Sequence, residues 1–168
     1  MLPDGTAAPA FTLPGTAMDR DATEMSTYSL ADALQRGPVI INFYLFDFHP
    51  ECTEHMCSLH DLLWFDLDDR VTVFGISTDR SFSHRAFADT EDLAFALLSD
   101  SDGSVAESYD VFYEEFNGHK RIAKRSVFVV DTDGMIRYAW STDDPTVQPD
   151  LSAVKDALEG LQTARADD

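Results

Sequence analysis

The sequence predicts an α/β fold in which helices cover both faces of a central mixed sheet. From residue 38 onward, short runs rich in β-branched and aromatic residues alternate with segments of helical length. Such alternation is typical of a sheet that lies between two layers of helices. Near the C-terminus two of these runs flank Asp131-Thr132-Asp133-Gly134, which predicts an antiparallel hairpin. The length favours a single domain spanning residues 1–168.

The predicted elements follow the order β-α-β-α-β-α-β-β-α after an N-terminal extended arm. The arm covers residues 7–13, and Ser26 or Ser29 is expected to cap a short helix that ends at Gly37. The remaining elements are strands at 38–45, 71–77, 95–98, 126–130 and 135–140 and helices at 51–68, 81–92, 104–109 and 150–162. This order resembles the thioredoxin-like fold, in which a reactive group lies where a strand passes into a helix.

The composition is strongly acidic. The chain carries 31 Asp and Glu residues against 12 Lys and Arg residues, which gives a net charge of −19. Such a surface repels nucleic acid and anionic membranes, and no apolar stretch is long enough to span a bilayer. Spread-out acid with scarce lysine resembles the proteins of halophiles that keep high salt inside the cell. Because the N-terminus has no signal-peptide pattern, we expect a cytoplasmic protein.

The chain has two cysteines, Cys52 and Cys57, directly after the predicted strand 38–45. Pro50 suits the first turn of a helix, because its fixed φ is helical and a missing N–H costs nothing there. Cys52 therefore falls at a helix N-terminus, where unpaired backbone N–H groups and the helix dipole lower the pKa of a thiol. In a reducing compartment, such a pair is more typical of redox chemistry or metal binding than of a structural crosslink.

The spacing of the two cysteines has a geometric consequence. Five residues along a helix give a rise of about 7.5 Å, so the Cα atoms lie roughly 8–9 Å apart. A disulfide needs less than about 7 Å between Cα atoms. Cys52 shares an inward stripe with Met56, Leu59 and Leu63, whereas Cys57 lies off that stripe. We therefore expect a Cys52–Cys57 disulfide to form only if the first turns of the helix unwind; the alternative is that Cys57 is an inert thiol.

Several segments between residues 8 and 140 together carry a family resemblance. They are Ala8-Pro9-Ala10-Phe11-Thr12-Leu13, Pro50-Glu51-Cys52-Thr53-Glu54-His55-Met56-Cys57, Gly75-Ile76-Ser77, Leu97-Leu98-Ser99-Asp100 and Arg125-Ser126-Val127-Phe128-Val129-Val130-Asp131. The chain resembles a peroxiredoxin of the AhpC/TSA superfamily, in particular the Q-type, or bacterioferritin-comigratory, branch.

The resemblance implies a thiol-dependent peroxidase. It implies that Cys52 attacks a hydroperoxide and becomes a sulfenic acid, that Cys57 resolves it as an intramolecular disulfide, and that Arg125 lies beside the thiolate. It also implies a thioredoxin-like or other dithiol reductant, and no metal, flavin or haem cofactor. We expect either a monomer or a homodimer.

Two residues depart from the family pattern Pro-x-x-x-Thr-x-x-Cys. His49 replaces the threonine, whose hydroxyl helps to hold the peroxide, and Leu45 replaces the proline. A ring nitrogen of His49 is able to donate a hydrogen bond, and a protonated ring would lower the Cys52 pKa further. The ring is equally able to obstruct the pocket. Glu51 opposes thiolate formation as a neighbouring negative charge, unless it pairs with a cation.

Two other functions stay open at this point. A metal site built from His49, Cys52, His55 and Cys57 would use soft or borderline ligands, although their spacing is not a usual zinc pattern. A thioredoxin-type disulfide oxidoreductase would use Cys-x2-Cys and a proline in the facing loop. The chain has Cys-x4-Cys, and Arg125 stands where that proline would be expected, which favours a peroxidase.

Residues 118–125 hold four of the twelve Lys and Arg residues. We interpret this segment as a solvated loop in which Arg125 is the essential member; the alternative is an electropositive site or a surface for an acidic reductant. The histidines His60 and His84 are expected on the surface.

Overall fold

The computed structural model describes residues 1–16, 25–66 and 69–166. In this part of the chain the helices are α1 (Leu30–Leu34), α2 (Pro50–Asp66), α3 (Ser81–Glu91), α4 (Ser104–Ser108) and α5 (Leu151–Ala166). The strands are β1 (Thr12–Gly15), β2 (Ser26–Ser29), β3 (Val39–Phe43), β4 (Thr72–Ser77), β5 (Ala96–Ser99), β6 (Phe112–Phe116), β7 (His119–Ala123), β8 (Ser126–Val130) and β9 (Ile136–Ser141). All elements predicted from residue 38 onward are present; residues 67 and 68, the end of the predicted helix 51–68, lie outside the described ranges. None of the described helices has the length and apolar character needed to cross a membrane.

Seven strands form one mixed sheet in the order β2-β1-β5-β4-β3-β8-β9. The central strands β3, β4 and β5 run parallel, and β8, β9, β1 and β2 add antiparallel pairs at the two sides. Parallel neighbours need crossover connections, which α2 and α3 provide. The carboxyl ends of β3 and β4 consequently meet at one edge of the sheet, where α2 and α3 begin.

Apolar side chains fill both faces of the sheet. Along β3, Val39 and Ile41 belong to one core layer and Ile40 to the opposite layer, as the two-residue period of a strand requires. The first layer contains residues of α1 and α4, and the second contains residues of α2, α3 and α5. Because both faces are covered, β3 and β8 are buried at every position. The predicted mixed sheet with helices on both faces is confirmed.

The N-terminal arm contributes to the edge of the sheet. Its last two residues begin β1, which pairs with β2 and with β5, and Ala7 bridges Met135. Of the two capping candidates, Ser29 caps α1, because its Oγ accepts a hydrogen bond from the Asp32 N–H at 3.1 Å. Ser26 instead lies in β2, a strand that the sequence analysis does not predict.

The interpretation of residues 118–125 as a loop is wrong for most of the segment. β6 and β7 form a two-stranded antiparallel hairpin separate from the main sheet. The chain turns at Asn117 and Gly118, which have φ values of 49° and 83°. Two positive φ values are typical of a type I′ turn, for which Asn-Gly is the strongest short signal. The sequence contains this Asn-Gly turn signal. The two flanking strands are largely polar, however, and lack the alternation of apolar residues that normally identifies a strand.

Candidate active site

Cys52 lies where β3 passes into α2. β3 ends at Phe43 and α2 begins at Pro50, so Cys52 is in the first turn of the helix, as the sequence predicts. Its side chain is completely buried. In the connection between the two elements, Phe48 has a φ of 63°, a left-handed conformation that is uncommon for a bulky residue. The backbone therefore bends sharply immediately before the helix that carries the thiol.

The expectation of a lowered Cys52 pKa is wrong for this structure. Burial raises the pKa of the thiol above its ordinary value of 9.0, because desolvation disfavours the charged thiolate. Backbone hydrogen bonding from Leu45 and Phe46 and the positive charge of Arg125 act in the opposite direction, and the charge of Glu51 raises the pKa further. The sequence shows the position at the helix N-terminus but not the complete burial, and burial is the largest of the effects on this pKa.

Arg125, which immediately precedes β8, brings a positive charge to the junction of β3 and α2. Ser126 pairs with Phe43, the last residue of β3, so the register brings Arg125 next to the β3–α2 connection. The side chain is 1% exposed. Its guanidinium donates four hydrogen bonds, from Nη1 to the carbonyl oxygens of Pro145 (2.6 Å) and Val147 (2.9 Å), and from Nη2 to Oε1 of Gln148 (2.7 Å) and the carbonyl oxygen of Glu51 (3.3 Å). A buried cation is thus fixed to the residue that precedes Cys52.

His49 also belongs to this junction, but its partner is a carboxylate. Its Nδ1 lies 3.3 Å from Oε2 of Glu51, without the alignment of a hydrogen bond. The His49 carbonyl oxygen accepts hydrogen bonds from the N–H and the hydroxyl of Thr53, at 2.8 and 3.0 Å. The structure therefore places His49 against the acidic neighbour of Cys52 and ties its backbone to the first turn of α2.

Cys57 lies on the same unbroken helix and is partly exposed. Its Sγ donates to Oε2 of Glu91 in α3 across 3.7 Å. Desolvation and then the charge of Glu91 raise the pKa of this thiol above 9.0. Both cysteines are free, and five residues of intact helix hold their Cα atoms roughly 8–9 Å apart. The two thiols are on one helix but not within disulfide distance.

Comparisons with known proteins decide the family. Residues 5–139 match the model of the AhpC/TSA family. The chain belongs to this family. It is 36% identical over 139 residues to the putative peroxiredoxin bcp of Coxiella burnetii, covering 81% of this chain and 86% of that protein. It is 34% identical over 145 residues to peroxiredoxin Bcp of Escherichia coli strain K12, covering 83% and 85%.

A solved structure supports the same conclusion for the fold. The chain is similar to the crystal structure of peroxidoxin BcpB from Mycobacterium tuberculosis, with a TM-score of 0.77 and 27% sequence identity over 97% of this chain and 98% of that one. The resemblance to the Q-type branch of the AhpC/TSA family and the thioredoxin-like fold are both confirmed.

This AhpC/TSA family member carries a buried polar network behind the β3–α2 connection, which the sequence analysis misses. His84 Nδ1 lies 3.0 Å from both carboxylate oxygens of Asp47, and His84 Nε2 donates to the carbonyl oxygen of Leu98 at 3.0 Å. Asp47 also accepts hydrogen bonds from the hydroxyls of Tyr44 and Ser83, each at 2.7 Å. The network joins the connection that precedes Cys52 to α3 and β5.

The expectation that His84 is a surface residue is wrong, because its side chain is completely buried. The signal in the sequence was its spacing: His84, Phe87 and Ala88 are the buried residues of α3, at positions i, i+3 and i+4. A histidine on the apolar stripe of a helix needs a polar partner inside the protein. That partner, Asp47, is 37 residues away in the sequence and becomes visible only in the fold.

The positive charges of the β6–β7 hairpin are paired locally. Each of the three cations before Arg125 contacts a carboxylate, in the pairs Lys120–Glu115, Arg121–Glu107 and Lys124–Asp143. These pairs offset the charges of the three cations. Arg125, the fourth, donates to the carbonyl oxygen of Glu51 in the first turn of α2. The interpretation that Arg125 is the member that matters for the site agrees with this geometry.

The hypothesis of a metal site finds no support. Across residues 1–16, 25–66 and 69–166, no three or more His, Cys, Asp or Glu side chains converge in a way that could hold a metal ion. Of the four residues in that hypothesis, His49 lies against Glu51 and Cys57 contacts Glu91 in another helix.

Proposed function

We propose that the chain is a thiol-dependent peroxidase that reduces hydrogen peroxide and organic hydroperoxides, with Cys52 as the peroxidatic cysteine. The observation that carries the proposal is that Cys52 lies in the first turn of α2 next to a buried cation: the Arg125 guanidinium donates to the carbonyl oxygen of Glu51, the preceding residue, and its charge favours the Cys52 thiolate. Membership in the AhpC/TSA family and relatives named peroxiredoxins support it.

In the first step, the sulfur of Cys52 attacks one oxygen of the hydroperoxide. An S–O bond forms as the O–O bond breaks, the thiol proton goes to the leaving oxygen, and water or an alcohol departs. Cys52 is oxidised to a sulfenic acid and the peroxide is reduced. Negative charge moves from sulfur to oxygen during this step, and we propose that Arg125 and the first-turn N–H groups of α2 stabilise it there.

In the second step, Cys57 attacks the sulfur of the sulfenic acid. An S–S bond forms, the S–O bond breaks, and water leaves. The Cα atoms need to approach to less than about 7 Å, so residues of α2 between the two cysteines have to leave the helix. Unwinding would break the contact of Glu51 with Arg125 and that of Cys57 with Glu91.

We propose that His49 assists Cys52 indirectly. Its ring lies against Glu51, whose charge otherwise raises the Cys52 pKa. A histidine that pairs with this carboxylate reduces its repulsion of the thiolate. In this assignment the ring takes over electrostatic support, rather than the hydrogen bond that the threonine hydroxyl of the family pattern supplies.

The setting of the reaction forms a further part of the proposal. A thioredoxin-like or other dithiol would reduce the Cys52–Cys57 disulfide, and two free cysteines suit a reducing cytoplasm. We propose a single domain over residues 1–168 that acts as a monomer or homodimer.

The acidic composition supports a source that keeps high salt inside the cell. Because salt screens the mutual repulsion within a chain of net charge −19, the midpoint of thermal unfolding should rise between low and molar potassium chloride. A midpoint that is unchanged or falls would contradict the halophilic assignment.

One experiment tests the peroxidase chemistry directly. Reduced protein receives one equivalent of hydrogen peroxide at high salt, is quenched with an alkylating agent at increasing times, and is analysed by mass spectrometry. We expect a near-stoichiometric Cys52–Cys57 disulfide in the unsubstituted protein and a sulfenic acid on Cys52 in Cys57→Ser, while Cys52→Ser forms neither. Survival of both thiols for minutes in the unsubstituted protein would refute the proposed function.

A further inference from the structure

A buried histidine without partners lies between the two cysteines. His55 is in the second turn of α2, three residues after Cys52 and two before Cys57, and is 2% exposed. Within the described part of the chain, neither Nδ1 nor Nε2 has a hydrogen-bond partner. The contrast with His84, which is equally buried but bonded through both ring nitrogens, shows what a satisfied histidine looks like in this protein.

The unpartnered ring destabilises the conformation that buries it. A neutral imidazole has one N–H donor and one acceptor nitrogen, and both lose their water when the helix packs against the sheet. Desolvation, together with the positive charge of Arg125, lowers the His55 pKa to about 3, so the ring is neutral when buried. Leaving a buried polar group unsatisfied shifts a conformational equilibrium by about 5- to 150-fold toward states in which water reaches the group.

The conformational change that hydrates His55 is the one that the second chemical step needs. His55 lies inside the segment between Cys52 and Cys57, so unwinding this segment exposes its ring and lets the two sulfurs meet. Two contacts act in the opposite direction: Arg125 holds the carbonyl oxygen of Glu51, and Glu91 holds Cys57.

We propose that His55 is a positioning residue that weakens the first two turns of α2 and thereby accelerates formation of the Cys52–Cys57 disulfide. This inference rests on the proposed peroxidase function, since it concerns the resolving step of that reaction. His55 does not touch the reacting atoms in this assignment. It sets how often the helix opens, and the sulfenic acid spends correspondingly less time exposed to a second peroxide molecule.

Substitutions that differ only in polarity test the proposal. His55→Leu fills a similar volume without polar atoms, and His55→Gln keeps a buried polar group. His60→Leu is the matched control, because it makes the same change on the same helix beyond Cys57, at a partly exposed position. For each variant the rate of Cys52 oxidation, the rate of disulfide formation and the yield of sulfinic acid on Cys52 at rising peroxide are measured separately.

For His55→Leu we expect disulfide formation to slow by about 5- to 150-fold. Cys52 oxidation should stay within about twofold, since the folded helix is the reactive state, and sulfinic acid should accumulate at lower peroxide. His55→Gln should restore fast resolution, and His60→Leu should match the unsubstituted protein. Disulfide formation at an unchanged rate in a folded His55→Leu protein would overturn the proposal.

Hydrogen exchange supplies a readout that needs no peroxide chemistry. In the unsubstituted protein, backbone amides of residues 54–57 should exchange faster than those of residues 58–62 in the same helix, and His55→Leu should abolish the difference. If both groups are equally protected before substitution, the inference about His55 fails even when disulfide formation succeeds. If the difference is present but no disulfide forms, the proposed function fails and the effect of His55 on the helix stands.

Discussion

Replacing Arg125 by lysine tests how much of the site depends on the geometry of one guanidinium. The side chain is 1% exposed and donates to four oxygen acceptors at 2.6 to 3.3 Å, three backbone carbonyls and the amide oxygen of Gln148. Arg125→Lys keeps a positive charge but replaces a planar guanidinium, which donates here through both Nη atoms, by a single nitrogen with three N–H groups.

The expected magnitude follows from these contacts. A single ammonium with three N–H groups cannot keep all four hydrogen bonds, and losing a part-buried hydrogen bond from a charged donor costs about 1.5–3 kcal/mol of unfolding free energy. We expect the shorter side chain to lose its contact with either the 145–148 segment or Glu51. Loss of one positioned donor near a developing negative charge typically slows a reaction by about 10²- to 10³-fold, and we expect Cys52 oxidation to slow by at least about 10²-fold.

Stopped-flow measurement of Cys52 oxidation by hydrogen peroxide, combined with thermal unfolding, checks both numbers. Arg121→Lys serves as the control, because Arg121 lies four residues earlier, is paired with Glu107 and is partly exposed. The control should retain the rate and the stability of the unsubstituted protein. A folded Arg125→Lys protein that oxidises at the unsubstituted rate would refute the role assigned to the guanidinium.

Two further predictions concern groups buried around the site. The His55 pKa is about 3 in the folded protein against 6.5 for an ordinary histidine, so below pH 6.5 the unfolded chain binds a proton that the folded chain excludes. The free energy of unfolding is therefore unaffected by His55 above pH 6.5 and falls by about 1.36 kcal/mol per pH unit as pH decreases from 6.5 toward 3. His55→Leu should remove this pH dependence. Asp47→Asn removes the carboxylate bonded to His84, which should lower the unfolding free energy by about 1–3 kcal/mol in denaturant titrations.

Each of these two predictions has a contrary outcome. Equal acid sensitivity of the unsubstituted protein and of His55→Leu would mean that the ring is hydrated or paired in solution. An Asp47→Asn protein as stable as the original would mean that the network around His84 adds nothing to the fold. Asp61→Asn is a suitable control for the latter, because Asp61 is a largely exposed carboxylate beside a histidine.

The position of the site was predictable because it depends on local sequence and on chain order. The run of β-branched and aromatic residues before Pro50 sets the end of β3, and Pro50 sets the start of α2, so Cys52 falls in the first turn. Local sequence also sets the hairpin turn at residues 131–134, where Asp131 Oδ1 accepts hydrogen bonds from the N–H groups of Asp133 and Met135.

What the sequence could not supply are quantities that depend on tertiary packing. The direction of the Cys52 pKa shift is set by burial, which exceeds the opposing effects of backbone hydrogen bonding from Leu45 and Phe46 and of the Arg125 charge. Asp47 and His84, which contact each other, are 37 residues apart in the sequence. Among the residues that the structure describes, His55 has no hydrogen-bond partner, because none of the elements packed around it supplies a donor or an acceptor. Local patterns place a residue on an element, but solvent exclusion and long-range partners decide its chemistry.

A raised Cys52 pKa has a consequence for the pH dependence of the peroxidase reaction. Each unit of raised pKa lowers the thiolate fraction near neutral pH about tenfold, but raises the nucleophilicity of that thiolate about threefold, because nucleophilicity follows pKa with a coefficient of about 0.4–0.5. The net loss is about threefold per unit, which positioned donors such as Arg125 are able to outweigh in the transition state.

The rate of Cys52 oxidation should therefore keep rising as pH increases through 9.0, the ordinary pKa of a cysteine thiol, because burial holds the pKa of this thiol above that value. The measurement is the second-order rate constant of Cys57→Ser with hydrogen peroxide as a function of pH, with the ultraviolet absorbance of the thiolate recorded in parallel. If the rate constant and the thiolate absorbance both level off well below pH 9.0, Arg125 and the backbone donors outweigh desolvation in setting the Cys52 pKa. Levelling of the rate while the thiolate absorbance keeps rising would contradict the assignment of the pH dependence to Cys52.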